Sequence, residues 1–569
     1  MHRVSMQNEN RSQPAGMVNR RELLRSSLLC CGAAFASGAL GPSLARALLA
    51  DEAAPARPVV ETSLGRLRGA FAHGVYFFKG IHYGASTGGP RRFLPPLPPK
   101  PWIGVREALE LGPPAPQDRL WSPSKGRELV GDLTGPGLMD EDCLVLNLWT
   151  PGLGGPARRP VMVWLHGGAY LIGSSGFPLY DGARLAAKHD VVVVGINHRL
   201  NAFGYLYLGE LGGKKYADSG NAGMLDIVLA LEWVRANIER FGGDPGNVTL
   251  FGESGGGGKV GALMAMPSAK GLFHKAIIES GSDLRARTRA EADATARSFL
   301  ARLGVAPDRL DDLRELPLER FIAALGHAIS GPDALNLGPV VDGHSLPRHP
   351  FDPDAPALTA SVPMLIGTND TETTIILGLE DPALFSLDEA GLRASLNHYL
   401  GPIAESKLDA LIAAYKKHRP NAAPSDILFA VTTDRWFRWA AITQAERKAA
   451  QRAAPVFMYL FAWRTPVLGG RLKAPHGVEM PFVFDNLHVA RGWVGEGADL
   501  QPLADRVSGA LAAFARTGHP NHAALPYWPP YEPGRRATMI FNHECQVVND
   551  PGKDERVANL PPASVRAPA

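Results

Sequence analysis

The amino-acid sequence predicts an α/β fold: a single large domain with a mostly parallel central sheet, flanked by helices and carrying inserted helical excursions. Three observations predict it. From about Val59 to Pro561, strand-like and helical runs alternate with no low-complexity linker and no repeat, as in layered α/β proteins. The runs Val161-Met162-Val163-Trp164-Leu165 and Val191-Val192-Val193-Val194 are short, apolar and β-branched, which suits strands covered on both faces. The composition, 45% hydrophobic and 20% charged over 569 residues, supports a large core and is too polar for a protein of many membrane spans.

The elements follow in order. Leu225 to Phe241 predicts a helix with Leu225, Leu229, Ala230, Trp233, Ile238 and Phe241 on one face, stopped by a Gly-Gly-Asp-Pro turn at 242–245. Val248 to Phe251 is the next strand, and Lys259 to Met264 continues as a helix. Further strands are expected at Ala276 to Ile278, Val362 to Ile366 and Val456 to Phe461. The charged, Ala- and Leu-rich stretch from Asp283 to Leu325 is a helical excursion between core strands.

Charge excludes some functions. The chain carries 59 Lys plus Arg against 56 Asp plus Glu, a formal charge of +3, but from Asp51 onward the bases number 53 and the acids 54. A body so close to neutral predicts neither a nucleic-acid nor an anionic-membrane partner. The surplus sits at the N-terminus, where Asn19-Arg20-Arg21-Glu22-Leu23-Leu24-Arg25 precedes twenty uncharged residues, Ser26 to Ala45. Residues 1–50 resemble a twin-arginine export signal, with Ala45-Arg46-Ala47 as a small-x-small site and cleavage expected near 47–54. Removal would leave a periplasmic or secreted protein without a membrane anchor, with domain 58–561 retained. Four cysteines, Cys30, Cys31, Cys143 and Cys545, show no CxxC spacing and so form neither a zinc ribbon nor a disulfide scaffold.

Gly252-Glu253-Ser254-Gly255-Gly256 stands between a strand and a helix, the context in which flanking glycines lift a serine oxygen on a strained turn. A second GxSxG, Gly84 to Gly88 around Ser86, is followed by Gly89-Pro90 and reads as loop. Gly256 to Gly261 also matches GxGxxG, with Glu279 about twenty residues on, but no N-terminal mononucleotide half precedes it. His166-Gly167-Gly168-Ala169 follows a strand, so the N–H groups of Gly167 and Gly168 can converge on one oxygen, with Gly255 as a third donor. A supporting acid is expected from Asp370 or Glu372, after the strand at 362–366. A base is expected among His398, His418, His476, His488, His519, His522 and His543, of which His476 stands in a loop after a strand with glycine beside it. Glu253, beside the serine, is either a buried structural carboxylate or a group favouring cationic substrates.

Together these motifs resemble the type-B carboxylesterase family, α/β-hydrolases that include the bacterial para-nitrobenzyl esterases and the cholinesterases. The resemblance covers roughly residues 58 to 545. Its motifs appear in family order: Phe78-Lys79-Gly80-Ile81, Glu141 to Asn147, His166 to Ala169, Asn197-His198-Arg199-Leu200, the serine elbow, Gly338 to Gly343, Gly367 to Glu372, and His476 to Glu479. It implies an α/β-hydrolase fold and a serine ester hydrolase acting through an acyl-enzyme on a small-molecule ester. Ser254, His476 and Glu372 are its implied triad, Gly167, Gly168 and Gly255 its oxyanion hole, and Ser280 a serine beside the acid. No metal or cofactor is implied. The same triad also serves amidases and carbamate hydrolases, and the same fold serves non-catalytic, cholinesterase-like binding proteins.

Departures from the family pattern carry expectations too. Ala115 stands where a partner cysteine of Cys143 is usual, so Cys143 is expected to be free and the loop 116–142 less constrained. His82 replaces a usual proline, Gly255 a frequent alanine and Thr373 a frequent glycine. Tyr170, Trp121, Trp436, Phe437 and Trp439 are candidate pocket aromatics, or else core.

Overall fold

The computed structural model describes residues 57–118, 128–132, 135–156, 158–326 and 335–560. The expected export signal, Trp121 and part of the loop 116–142 lie outside the described residues.

Fourteen strands are described: β1 (Val59–Glu61), β2 (Arg66–Arg68), β3 (Ala70–Ala72), β4 (Val75–His82), β5 (Val105–Glu107), β6 (Val145–Thr150), β7 (Arg159–Leu165), β8 (Val192–Ile196), β9 (Gly243–Glu253), β10 (Lys275–Glu279), β11 (Met364–Asn369), β12 (Val456–Phe461), β13 (Ala537–Phe541) and β14 (Gln546–Asn549). Eleven form one sheet in the order β14-β13-β12-β11-β10-β9-β7-β8-β6-β4-β3, while β1, β2 and β5 form a small separate sheet. From β8 through β7, β9, β10, β11 and β12 to β13 every neighbouring pair is parallel, and the antiparallel pairs lie toward the two edges.

Strand alternation builds two cores. Val161, Val163, Leu165, Val192, Val194, Leu250, Ile278 and Ile366 point to one face and join one apolar cluster. Met162, Trp164, Val193, Phe251, Ile277, Leu365 and Phe457 point to the other and join a second. Because successive strand side chains point to opposite faces, near-continuous apolar runs are what a sheet with two covered faces requires. A third cluster, including Leu392, Leu408, Ile412 and Phe429, holds together the helices Glu389–Leu400, Glu405–His418 and Pro424–Thr433 beyond β11.

Some local expectations shift. The helix Ala222–Asn237, extended by a tighter turn at Ile238–Phe241, ends at Gly242, whose φ of 77° places it in the left-handed region. Gly243 already pairs with Arg159, so the expected turn at 242–245 is a single-residue stop followed by strand. Leu225 and Leu229 are only half-buried, whereas Met224, Ile227 and Leu231 are buried. The short helix Asn201–Tyr205 packs against this helix, so its burial extends beyond the expected face. β11 starts two residues later than expected and runs on to Asn369, because Gly367, Thr368 and Asn369 find partners in Tyr459, Leu460 and Phe461. The stretch from Asp283 to Leu325 does carry helices, Arg289–Leu303 and Leu318–Leu325.

A buried ion pair locks the connection after β8. Asp226 is fully buried and accepts from the Arg199 backbone N–H at 3.0 Å, from Nε at 2.9 Å and from Nη2 at 2.6 Å. Arg199 Nη1 reaches the Leu94 carbonyl at 2.7 Å. Removing one partner of such a pair leaves the other charge buried and unanswered. Asp226→Ala is therefore expected to lower unfolding free energy by about 3–5 kcal/mol, read by urea denaturation; a loss under about 1 kcal/mol would contradict this account of the pair.

Candidate active site

Parallel pairing gathers distant segments at one sheet edge. Leu165 pairs with Gly252, Glu253 with Glu279, Glu279 with Gly367, and Asn369 with Phe461. The residues that follow these strand ends, His166 to Ala169, Ser254, Ser280, Glu372 and His476, therefore share the carboxyl edge of one sheet. This edge also contains a reversal of strand order, since β7 lies between β8 and β9, and open α/β sheets bind ligands at such reversals.

Ser254 sits between β9 and the helix Gly255–Ala265 with φ 56° and ψ −126°. A non-glycine residue there is strained, and the turn is held by its neighbours: the Ser254 N–H donates to the Glu279 carbonyl at 2.8 Å. The glycines around it are needed for space. A Cβ at Gly256 would lie 1.9 Å from the Leu165 carbonyl oxygen, and one at Gly255 would lie 2.0 Å from that of Ala169. The GxGxxG match at 256–261 thus reports close helix–sheet packing. At position 255 the family's frequent alanine would collide with the adjacent loop. Ser86 lies exposed in a loop, as its context predicts.

Gly168 (φ 82°) and Ala169 (φ 53°) turn the chain sharply after β7. The Gly168 carbonyl accepts from the Leu171 and Ile172 N–H groups at 3.2 and 3.1 Å, while the Gly167 and Gly168 N–H groups bond to no backbone carbonyl among the described residues. Gly255 opens its helix, so its N–H has no intrahelical acceptor.

Glu372 is fully buried and fully used. Its Oε1 accepts from Ser280 Oγ at 2.6 Å and from the Asn369 N–H at 2.7 Å, and its Oε2 lies 2.7 Å from His476 Nδ1. Asp370 instead lines a small recess with Arg419 and Lys473. Of the seven histidines, the structure brings His476 to this edge, with its ring 5.0 Å from that of Phe437. His476 Nε2 lies 3.2 Å from Glu253 Oε1, and no hydrogen bond joins it to Ser254 Oγ among the described residues.

A cavity of about 470 Å³ opens over Ser254, with Tyr170, Trp436 and Phe437 in its wall. The last two project from a wide π-helical turn, Asp434–Arg438, between the helices Pro424–Thr433 and Trp439–Ala450. Trp439 is not part of this wall.

A model of the carboxylesterase family matches residues 56–559. The chain belongs to that family. The esterase is 37% identical to the para-nitrobenzyl esterase of Bacillus subtilis (strain 168) over 513 residues, covering 88% of this chain and 98% of the relative. It is 34% identical to a phenmedipham hydrolase of Pseudarthrobacter oxydans over 518 residues, 88% of this chain and 99% of that one. A solved carboxylesterase of Geobacillus stearothermophilus superposes with a TM-score of 0.76 at 41% identity, covering 89% of this chain and all of the other. The protein is accordingly a serine ester hydrolase with an α/β-hydrolase fold.

Two neighbours of the serine set the electrostatics of the esterase's site. Burial disfavours the charged imidazole of His476, yet Glu253, Glu372 and Glu479 outweigh burial and raise its pKa to about 9. Burial lifts Glu253 to about 7, with His476 and Lys259 pulling it down and Glu372 pushing it up. Glu279 and Glu479 are buried beneath and raised mainly for the same reason, Glu479 to about 8. Glu253 is only 5% exposed.

Lys259 is the residue that sequence reasoning missed. It is fully buried, and its Nζ donates to the His166 and Ala169 carbonyls, each at 3.0 Å, so it holds both ends of the loop bearing Gly167 and Gly168. Burial brings its pKa down to about 7 against the attraction of Glu253 and Asp283. Its only signal in the sequence is a charged residue inside an otherwise apolar helix. Of the departures from the family, Cys143 is free and buried, while His82 faces Asp142 at 3.4 Å and Thr373 Oγ1 lies 3.1 Å from the Phe429 carbonyl and 2.7 Å from Thr432 Oγ1.

Two outcomes follow. With His476 as the general base, the acidic limb of kcat/KM follows its imidazole, which accepts a proton only when neutral; Glu253→Gln, which removes an attractive charge, should then move that limb to lower pH by about 1–3 units. An unmoved limb would contradict the coupling. With the Gly167 and Gly168 amides as oxyanion donors, Lys259→Met should lower kcat on the order of tenfold to a hundredfold with little change in KM, because it loosens the loop that carries them; wild-type kcat would contradict the role of the lysine as an anchor.

Proposed function

We propose that this esterase cleaves carboxylic esters through an acyl-enzyme on Ser254, with His476 as general base and acid and Glu372 orienting the imidazole. Ser254 Oγ attacks the ester carbonyl as its proton passes to His476 Nε2, and the Gly167, Gly168 and Gly255 N–H groups receive the oxyanion. His476 then protonates the departing alcohol. Water, deprotonated by the same imidazole, attacks the acyl-enzyme and releases the acid. The contact of 2.7 Å between His476 Nδ1 and Glu372 carries this reading, since it fixes the tautomer that leaves Nε2 free to take a proton. Rotation of Nε2 from Glu253 toward Ser254 is the adjustment the first step requires.

Ser280, whose hydroxyl bonds Glu372, is assigned the support of that acid. Export by the twin-arginine route with cleavage near 47–54, leaving the hydrolase domain 58–561 in the periplasm, belongs to the same proposal. The arginine pair and apolar run support it, as does the family match beginning at residue 56. Among the described residues no helix is long and apolar enough to cross a membrane.

The deciding measurement is intact mass and peptide mapping of periplasmic protein after treatment with a fluorophosphonate. One adduct per chain on Ser254 and a start near residue 48 are expected, with Ser254→Ala unlabelled and its ester turnover abolished. Labelling elsewhere, or wild-type turnover by Ser254→Ala, would overturn the triad; a full-length chain in the cytoplasm would overturn export alone.

A further inference from the structure

The cavity over Ser254 holds a cation that the hydrolytic chemistry does not use. Arg287 lines it together with Tyr170, Asp283, Leu335 and Leu337. Its main chain is pinned: the Arg287 N–H donates to the Pro339 carbonyl at 2.8 Å, and its carbonyl accepts from Val341 at 2.8 Å. Its side chain makes neither a hydrogen bond nor an ion pair among the described residues, and Nε is buried with no partner at all. Neither nearby carboxylate pairs with it among the described residues. Asp283 accepts from Tyr170 Oη at 2.8 Å and feels Lys259, while Glu291 accepts from the Thr288 N–H and Oγ1, both at 2.8 Å, capping the helix Arg289–Leu303. The guanidinium lies against Gly338, where a Cβ would come within 3.5 Å of Cζ and Nη2 and 3.3 Å of Tyr170 Cδ2.

The Nη groups, unpaired among the described residues and not sealed off as Nε is, are the donors that a ligand in the cavity can reach. A guanidinium presents a planar fork that matches a carboxylate in two parallel hydrogen bonds, stronger than neutral ones. The leucines on the same wall suit an apolar spacer between that carboxylate and the ester.

We propose that Arg287 is a carboxylate-binding subsite, and that preferred substrates carry a free carboxylate separated by an apolar spacer from the ester cleaved at Ser254. This rests on the assignment of Ser254 as nucleophile. Glu253 does not oppose it by attracting cations, because its carboxylate is buried against His476 and Gly167, away from the cavity wall.

The test compares kcat/KM for matched esters in wild type and Arg287→Gln. With the charge on the acyl side the pair is 4-nitrophenyl hydrogen glutarate against 4-nitrophenyl valerate; on the alcohol side it is 4-carboxyphenyl butyrate against phenyl butyrate. The anionic-to-neutral ratio should fall by about tenfold or more in one pair on losing the cation, and fall further in Arg287→Glu. Ratios unchanged in both pairs would overturn the subsite. Calorimetric titration of Ser254→Ala with monobutyl glutarate and with 4-carboxyphenyl butyrate separates the two readings: binding abolished by Arg287→Gln supports the subsite even if no ester is turned over, and binding indifferent to Arg287 sinks it while leaving the triad standing.

Discussion

Parallel strand pairing is the constraint on which the rest depends. A parallel ladder sets neighbouring strands about 4.8 Å apart with their carboxyl ends on one side. Once Leu165, Gly252, Glu279, Gly367 and Phe461 are in register, the five segments leaving those strands have to share a small volume. The apolar faces enforce the register, because a slip of one residue would exchange the inward side chains of the two cores. Fold stability and site geometry are thus set by the same hydrogen bonds.

That shared volume is crowded with charge. Four carboxylates, Glu253, Glu279, Glu372 and Glu479, are buried beside one imidazole and one ammonium. Glu372 is satisfied by three partners, whereas both Glu279 oxygens are unbonded among the described residues, and burial, reinforced by Glu479 and Glu253, pushes that carboxyl toward its neutral form. The arrangement stabilises positive charge on His476, so near neutral pH less of the imidazole is in the neutral form that accepts a proton. Lys259 ties down the His166 and Ala169 carbonyls, fixing the loop that carries the Gly167 and Gly168 amides. Rigid carbonyls on one side and free amides on the other are what a donor site needs if it is not to reorganise when charge develops.

Much of this was legible before any coordinates. The β-branched runs named the central strands, since only strands covered on both faces need uninterrupted apolar sequence. The serine elbow and the loop after β7 were legible because strained turns restrict residue type locally, leaving glycine at fixed offsets. Boundaries were less so: the helix at 222–237 faced differently because the segment Asn201–Tyr205 covers it, and β11 lengthened because β12 offered partners. Neither neighbour is local in sequence.

The sequence by itself determined the fold class, the strained serine and its glycine surroundings, because these depend on side-chain size, periodicity and backbone freedom within a few residues. Read from residues alone it left Asp370 and Glu372 open and seven histidines in play, and only the likeness to a family chose among them. Tertiary structure decided which carboxylate reaches the imidazole, that Nε2 rests against Glu253, that Lys259 anchors a loop some ninety positions away, and that the Arg287 side chain is unpaired among the described residues. These are matters of distance and burial between groups far apart along the chain. No local pattern encodes them, since the electrostatic energy of a group is set by what the fold brings within a few ångströms of it.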